Sequence, residues 1–161
     1  MKNTDIVAYT DGSFNTETGF VGASSIIRSN AVNIPNHYIV AKSNSGKVVD
    51  GRQISGELQG AINAIAYAID CDFKSITIRY DYQGVEKWAT GEWRANKNYT
   101  KSYQEVIAKF SDYIDINFEK VAAHTGVEFN EVADKLAKFA CGVEPQLPVG
   151  VHATQVVTLN L

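Results

Sequence analysis

The chain has 161 residues, 45% of them hydrophobic and 20% charged, with only three prolines. That make-up fits one folded domain with a real core and excludes a disordered chain. The formal net charge is −3, whereas a nucleic-acid-binding domain ordinarily carries a strongly basic balance, so such a partner would have to be held by a local patch.

No apolar run approaches the roughly 18 residues that a membrane span needs, so no membrane partner is expected. Met1 to Asp5 leads straight into a strand-like segment, without the pattern of a signal peptide. Cys71 and Cys141 stand near the ends of helical patterns, which favours two free thiols in a reducing compartment over a disulfide or a metal pair. The expected location is cytoplasmic.

In chain order, residues 5–10 read as a strand ended by the turn dipeptide Asp11-Gly12. Residues 20–28 and roughly 34–42 follow as two further strands, making an antiparallel meander. Residues 43–51, rich in Ser, Asn and Gly, read as a loop. Leu58, Ile62, Ile65 and Ile69, with Ala61 and Ala66, recur at three- and four-residue steps and define a long helix, with Ser55 as its N-cap. Residues 74–80 form a β-branched strand that delivers Asp81. Residues 83–90 and 99–114 suit two helices, 116–122 a fifth strand, and 128–140 a last helix stopped by Gly142. The order β-β-β-α-β-α-α-β-α implies an α/β fold, a five-stranded mixed sheet whose first three strands are antiparallel, flanked by helices. From Val143 the composition shifts, and Pro145 and Pro148 prevent helix continuation. Residues 1–142 are therefore expected to form one catalytic unit and 143–161 a tail of unknown role, which ends either as a small extra strand or loose.

Four acids stand at special places in this layout: Asp11 at the end of the first strand, Glu57 at the start of the long helix, Asp81 after the fourth strand, and Asp134 on the last helix. Singly, each is better explained as a turn, cap or helix-dipole residue. Together they suggest more. A hard cation such as Mg²⁺ takes oxygen ligands, and two such ions about 3.5–4 Å apart can hold the attacking water and the leaving oxygen of a phosphodiester in line. Clustered carboxylates repel one another, so they are tolerated chiefly where a cation neutralises them. Periodicity does not show that the four converge.

Tyr9-Thr-Asp11-Gly-Ser13, Ser55-Gly-Glu57-Leu58, Tyr80-Asp81-Tyr-Gln83-Gly84-Val-Glu-Lys-Trp88, and Ala123-His124-Thr-Gly126 with Asn130-Glu131-Val-Ala-Asp134-Lys-Leu-Ala137 occur in that order. Together they resemble the four motifs of type 1 ribonuclease H, over roughly residues 5 to 141. The resemblance is to the catalytic domain, without the N-terminal hybrid-binding domain of many relatives. It implies a ribonuclease H-like fold and endonucleolytic cutting of the RNA strand of RNA–DNA hybrids, leaving 5′-phosphate and 3′-hydroxyl ends. It implies two Mg²⁺ ions, with Mn²⁺ as a substitute, and no small-molecule cofactor. Asp11 would bridge the ions, Asp81 and Asp134 would complete one site each, and Glu57 would also touch the RNA 2′-hydroxyl, the group DNA lacks. His124 resembles the family histidine that assists proton transfer or product departure, work suited to an imidazole. Gly12, Asn15, Gln53 and Gln83 lie beside the acidic motifs, where relatives hold the hybrid; Gln53 stands where an Asn is more usual.

Residues 87–103 answer the charge objection locally. Lys87, Arg94, Lys97 and Lys101 face one acid, Glu92, and are interleaved with Trp88, Trp93, Tyr99 and Tyr103. Such a mixture neutralises phosphates and packs on sugars or bases; Trp93, Arg94 and Lys97 are its candidate substrate contacts, and Trp88 is better placed in the core. The resemblance makes this segment a shortened counterpart of a basic handle, so hybrid binding should be weak and salt-sensitive. The competing functions are another nuclease of the same fold (a resolvase or a nuclease domain from a reverse transcriptase) and a non-catalytic nucleic-acid-binding domain. Residues 155–161 are apolar enough to dock on a replication protein or a second copy of the chain, with a packed terminal strand as the alternative.

Overall fold

The computed structural model describes residues 5–29, 35–122, 128–148, 151 and 155–158. The strands are β1 (Asp5–Phe14), β2 (Val21–Ser29), β3 (His37–Ser43), β4 (Ser75–Tyr80), β5 (Asp115–Lys120) and β6 (Gln155–Thr158). The helices are α1 (Gly46–Asp70), α2 (Gly84–Thr90), α3 (Asn98–Phe110) and α4 (Glu128–Ala140). They make one sheet in the order β5-β4-β1-β2-β3-β6. β1, β2 and β3 are antiparallel neighbours, while β4 runs parallel to β1 and β5 parallel to β4. The five expected strands are thus present in a mixed sheet. The C-terminal segment adds a sixth, with Ile39 to Lys42 of β3 paired in parallel with residues 155–158.

Alternation along β1 sorts the two layers. Ile6 and Ala8 point into a core shared with Leu58, Ile65 and Ala68 of α1 and with Tyr103 and Ile107 of α3. Tyr9 points the other way, with Ile26 and Val40, onto Ala133 and Leu136 of α4. Tyr103 Oη donates to Val85 O at 2.6 Å and Gln104 Nε2 to Trp88 O at 2.8 Å, so α3 clamps the short α2.

Both large helices approach the sheet at backbone distance. A Cβ on Gly56 would lie 2.3 Å from Gly22 O, and one on Gly22 would lie 2.2 Å from Ala137 O. Gly22 is therefore pressed between α1 on one face and α4 on the other. α4 is fixed further by Ser24 Oγ donating to Ala133 O at 2.6 Å. It ends as the spacing implied, with Gly142 at φ 86. The Gly142 and Val143 amides donate to Phe139 O and Lys138 O, a Schellman closure.

Two local expectations are corrected. Asp11-Gly12 is not a turn: β1 runs through it to Phe14, in register with β2 as far as Val21. The Gly at that point serves contact, because a Cβ there would lie 2.3 Å from Glu57 N. The chain reverses instead at Asn15 to Phe20, where Asn15 N donates to Phe20 O. Nor is Ser55 the N-cap of the long helix. α1 begins at Gly46, because Val48 is fully buried against Val21, Ala23 and Ala41 and anchors a preceding turn. Ser55 lies inside the helix, fully buried.

The two pieces of α1 meet at Arg52, whose φ of 49 and ψ of −133 lie in a region that suits glycine. Arg52→Gly is expected to raise the unfolding free energy by about 1 kcal/mol, read by urea unfolding. Gly56→Ala should cost about 1–3 kcal/mol, because the new methyl meets strand backbone that cannot move aside.

Candidate active site

β1 and β4 are parallel neighbours, with Tyr9 opposite Arg79. Extending that register by two places sets Asp81 beside Asp11, just past the end of β4. Crevices outside the carboxyl ends of such strands are where α/β sheets collect ligands. Glu57 arrives from α1, carried there by the Gly12–Gly56 contact, where a Cβ on Gly56 would lie 3.0 Å from Gly12 Cα. Ligand-capable oxygens of Asp11, Glu57 and Asp81 all lie within 4.8 Å of one another. Asp11 and Glu57 are buried, and Asp81 is half-buried.

Asp134, on α4, is near enough to add its charge to that of Asp11. It stands outside the group of three, with Oδ2 3.0 Å from Lys138 Nζ. His124 lies outside the described residues.

Burial dominates the electrostatics. It is the largest cause raising Asp11 from 3.8 to about 6 and the largest cause raising Glu57, which rises further still. The hydrogen bond between these two side chains lowers Asp11 and raises Glu57, so Glu57 is the partner that keeps the proton. The Asp81 charge raises both. Three acids share a desolvated site, and among the described residues no lysine or arginine forms an ion pair with any of them. Hard oxygen donors, converging and short of positive charge, fit a divalent cation.

Beside the acids, Tyr82, Trp88 and Trp93 form a three-ring cluster, with centroids 5.3 Å apart for the two tryptophans and 6.0 and 6.3 Å from Tyr82 to each. Gly84 lets the rings close: a Cβ there would lie 2.4 Å from the Tyr82 ring. Both tryptophans are half-buried, while Arg94 and Lys97 are exposed. An open groove of about 420 Å³ is lined by Asp50, Asn96, Lys97, Asn98 and Tyr99.

The remaining candidates divide. The Gly12 amide donates to Asp11 Oδ1 at 2.8 Å and so orients that carboxylate. Asn15 is buried in loop closure: its Nδ2 donates to Cys141 O at 3.0 Å, and its Oδ1 accepts from the Glu17 and Thr18 amides. Gln53 and Gln83 are exposed, the first beside the α1 kink and the second just before α2. Sequence reasoning passed over Tyr82 and Lys138. Both carried a signal, Tyr82 as the residue after Asp81 and Lys138 at the four-residue helical step from Asp134. Arg52 carried none, since its conformation is set by contacts on both sides.

Residues 3–142 match the RNase H family, which covers most of the chain. The sequence is 29% identical over 149 residues to a ribonuclease H of Francisella philomiragia subsp. philomiragia, covering 86% of this chain and 92% of that protein. In fold it is similar to the RNase H1 of the halophilic archaeon Halobacterium salinarum NRC-1, with a TM-score of 0.68 at 23% identity, covering 87% of this chain and 99% of the other. It is also similar to LC11-RNase H1, solved in complex with an RNA/DNA hybrid, with a TM-score of 0.65 at 17% identity, covering 88% of this chain and 99% of that one. The mixed sheet and its flanking helices are those of the ribonuclease H fold. This chain belongs to the RNase H family.

An acid whose pKa is higher folded than unfolded binds its proton more tightly in the fold, so its contribution to stability falls as pH rises between the two values. For Asp11 that window runs from 3.8 to about 6. Above it, Asp11→Asn is expected to stabilise the metal-free protein by about 1–3 kcal/mol. Urea unfolding in EDTA at pH 5 and pH 8 measures this; no gain at pH 8 would mean that the site stores no charge strain.

Proposed function

We propose that this chain is a metal-dependent ribonuclease H that cuts the RNA strand of RNA–DNA hybrids internally, leaving 5′-phosphate and 3′-hydroxyl ends. The observation that carries the proposal is the convergence of Asp11, Glu57 and Asp81 from β1, α1 and the end of β4, in a chain of this family. The donor set suits two Mg²⁺ ions, with Mn²⁺ as a substitute. When bound, the ions supply water activation and stabilisation of the leaving oxygen. Asp11 interacts with Glu57, Asp81 and Asp134 alike, so it would be the shared ligand, and Asp81 and Asp134 would each complete one position. Glu57, whose protonated form burial and the Asp11 hydrogen bond favour in the metal-free site, would serve as a metal ligand and as the group facing the RNA 2′-hydroxyl, the atom that separates RNA from DNA. His124 is assigned to proton transfer or product departure.

The hybrid is held on the face formed by α2 and the segment after it. The half-buried ring of Trp93, with Tyr82, offers a platform for sugars and bases, Trp88 packs against the core, and exposed Arg94 and Lys97 meet phosphates. Gly12, Gln53 and Gln83 border the strand to be cut, and Asn15 shapes the loop beside them. An RNase H1 of the same fold was solved with an RNA/DNA hybrid bound, which supports this choice of partner. We take residues 1–142 as the catalytic unit, with 143–161 attached to it through β6. Cys71 and Cys141 are free thiols, in keeping with a reducing, cytoplasmic setting. Among the described residues no helix is long and apolar enough to cross a membrane.

With Mg²⁺, the wild-type protein is expected to cleave the RNA of a labelled hybrid and to spare duplex DNA and duplex RNA. Asp11→Asn and Asp81→Asn should each lower the rate by about 10²-fold or more. Robust cutting by either variant would overturn the mechanism, and equal cutting of all three duplexes would overturn the substrate assignment. Raising the salt should weaken hybrid binding steeply, and Lys97→Ala should lower the log–log salt slope by about one unit.

A further inference from the structure

We infer that Lys138 is a built-in counter-cation of the site, which neutralises Asp134 in the metal-free protein and competes with the second of the two ions. The inference rests on the metal reading of Asp11 and Asp134 proposed above. The four acids are treated unequally by the fold. Asp11, Glu57 and Asp81 converge without a basic partner, whereas Asp134 stands apart from them with Lys138 Nζ at 3.0 Å. Among the described residues the ion pairs are Arg79–Glu119, Lys87–Glu92 and Lys138–Asp134, so Lys138 alone pairs with a site acid.

The pair is placed to act as a unit. Its side chains are 22% exposed for Asp134 and 37% for Lys138, less open to screening than a fully solvated pair. The backbone beneath the ammonium is locked: Lys138 O accepts from Val143 N at 2.8 Å and Glu144 N at 3.2 Å in the helix closure. Only the flexible side chain is left to move. The Lys138 pKa is raised above the ordinary lysine value chiefly by Asp134, then by Glu144 and Asp11, so the ammonium also senses the bridging acid.

Two unequal cation positions follow. The one formed by the three converging acids presents uncompensated charge. The one that needs Asp134 has to displace an ammonium already in contact with it. Loading is therefore ordered, with Lys138 weakening the second step.

The test is a titration of the substrate-free protein with Mn²⁺, followed by the electron paramagnetic resonance signal of the free aquo ion. Lys138→Gln should tighten the weaker step about two- to fivefold and leave the tighter step unchanged. In an Asp134→Asn background the same substitution should shift nothing. Lys135→Gln, on the exposed side of α4, makes the same charge change without the contact and should leave both steps alone. A Lys138→Gln isotherm that superimposes on wild type overturns the inference, as does an equal gain from Lys135→Gln. A wild-type protein that binds no Mn²⁺ overturns the metal reading itself, and this inference with it, a result distinct from unchanged binding by the variant.

Discussion

Gly22 is the point on which the molecule turns. Its carbonyl meets α1 at Gly56, and its missing Cβ leaves room for the Ala137 carbonyl of α4. Two helices thus lie against one strand at backbone distance, which side chains of ordinary size would forbid. Everything at the site follows from those two contacts. Gly56 places Glu57 next to Gly12 and so beside Asp11, and the seating of α4 places Asp134 on the sheet face toward which Asp11 points. A wider helix–sheet spacing, of the kind that leucines would set, would leave the acids too far apart to share a cation.

Closeness has an electrostatic cost. Burial raises the pKa values of Asp11 and Glu57, the Asp81 charge raises both further, and among the described residues no lysine or arginine is paired to any of the three. A proton held by Glu57 relieves part of this in the metal-free protein, and Lys138 relieves another part at Asp134. On the proposed reading, both are placeholders that a divalent ion would replace. On that reading, the charge strain expected of the metal-free fold is what would give the site its affinity, the usual relation between stored strain and function.

On the proposed reading, recognition is organised differently from cutting. Asp11 and Asp81 stand on or just past the central strands β1 and β4, and Glu57 and Asp134 are brought to them by α1 and α4. The candidate hybrid-binding groups sit on α2 and the turn after it, held from behind by Tyr103 and Gln104 of α3. Aromatic area close to the acids, with a few exposed cations around it, is compatible with a net charge of −3, because phosphates sense local fields within roughly 10 Å. At the far edge of the sheet, β6 pairs with β3 and so joins residues 155–158 to the sheet.

Much of this could be read from the chain. Periodicity located the core strands and helices, since burial of one face is a local pattern. The resemblance of four motifs to those of type 1 ribonuclease H named Asp11, Glu57, Asp81 and Asp134 as the acids. Gly142 announced the end of α4, because a left-handed cap is a local demand. What the chain did not disclose were features that depend on contacts far apart in sequence. Asp11-Gly12 looks like a turn until β2 is placed beside it. Residues 46–51 look like a loop until Val48 finds a pocket between strands. Arg52 reveals its strained backbone only when both halves of α1 are docked. By itself the sequence determined which residues could do chemistry and on which elements they stand. Only the tertiary structure decided that three acids meet while the fourth stands outside their group, because that division is set by helix–sheet distances, and distance is a property of packing.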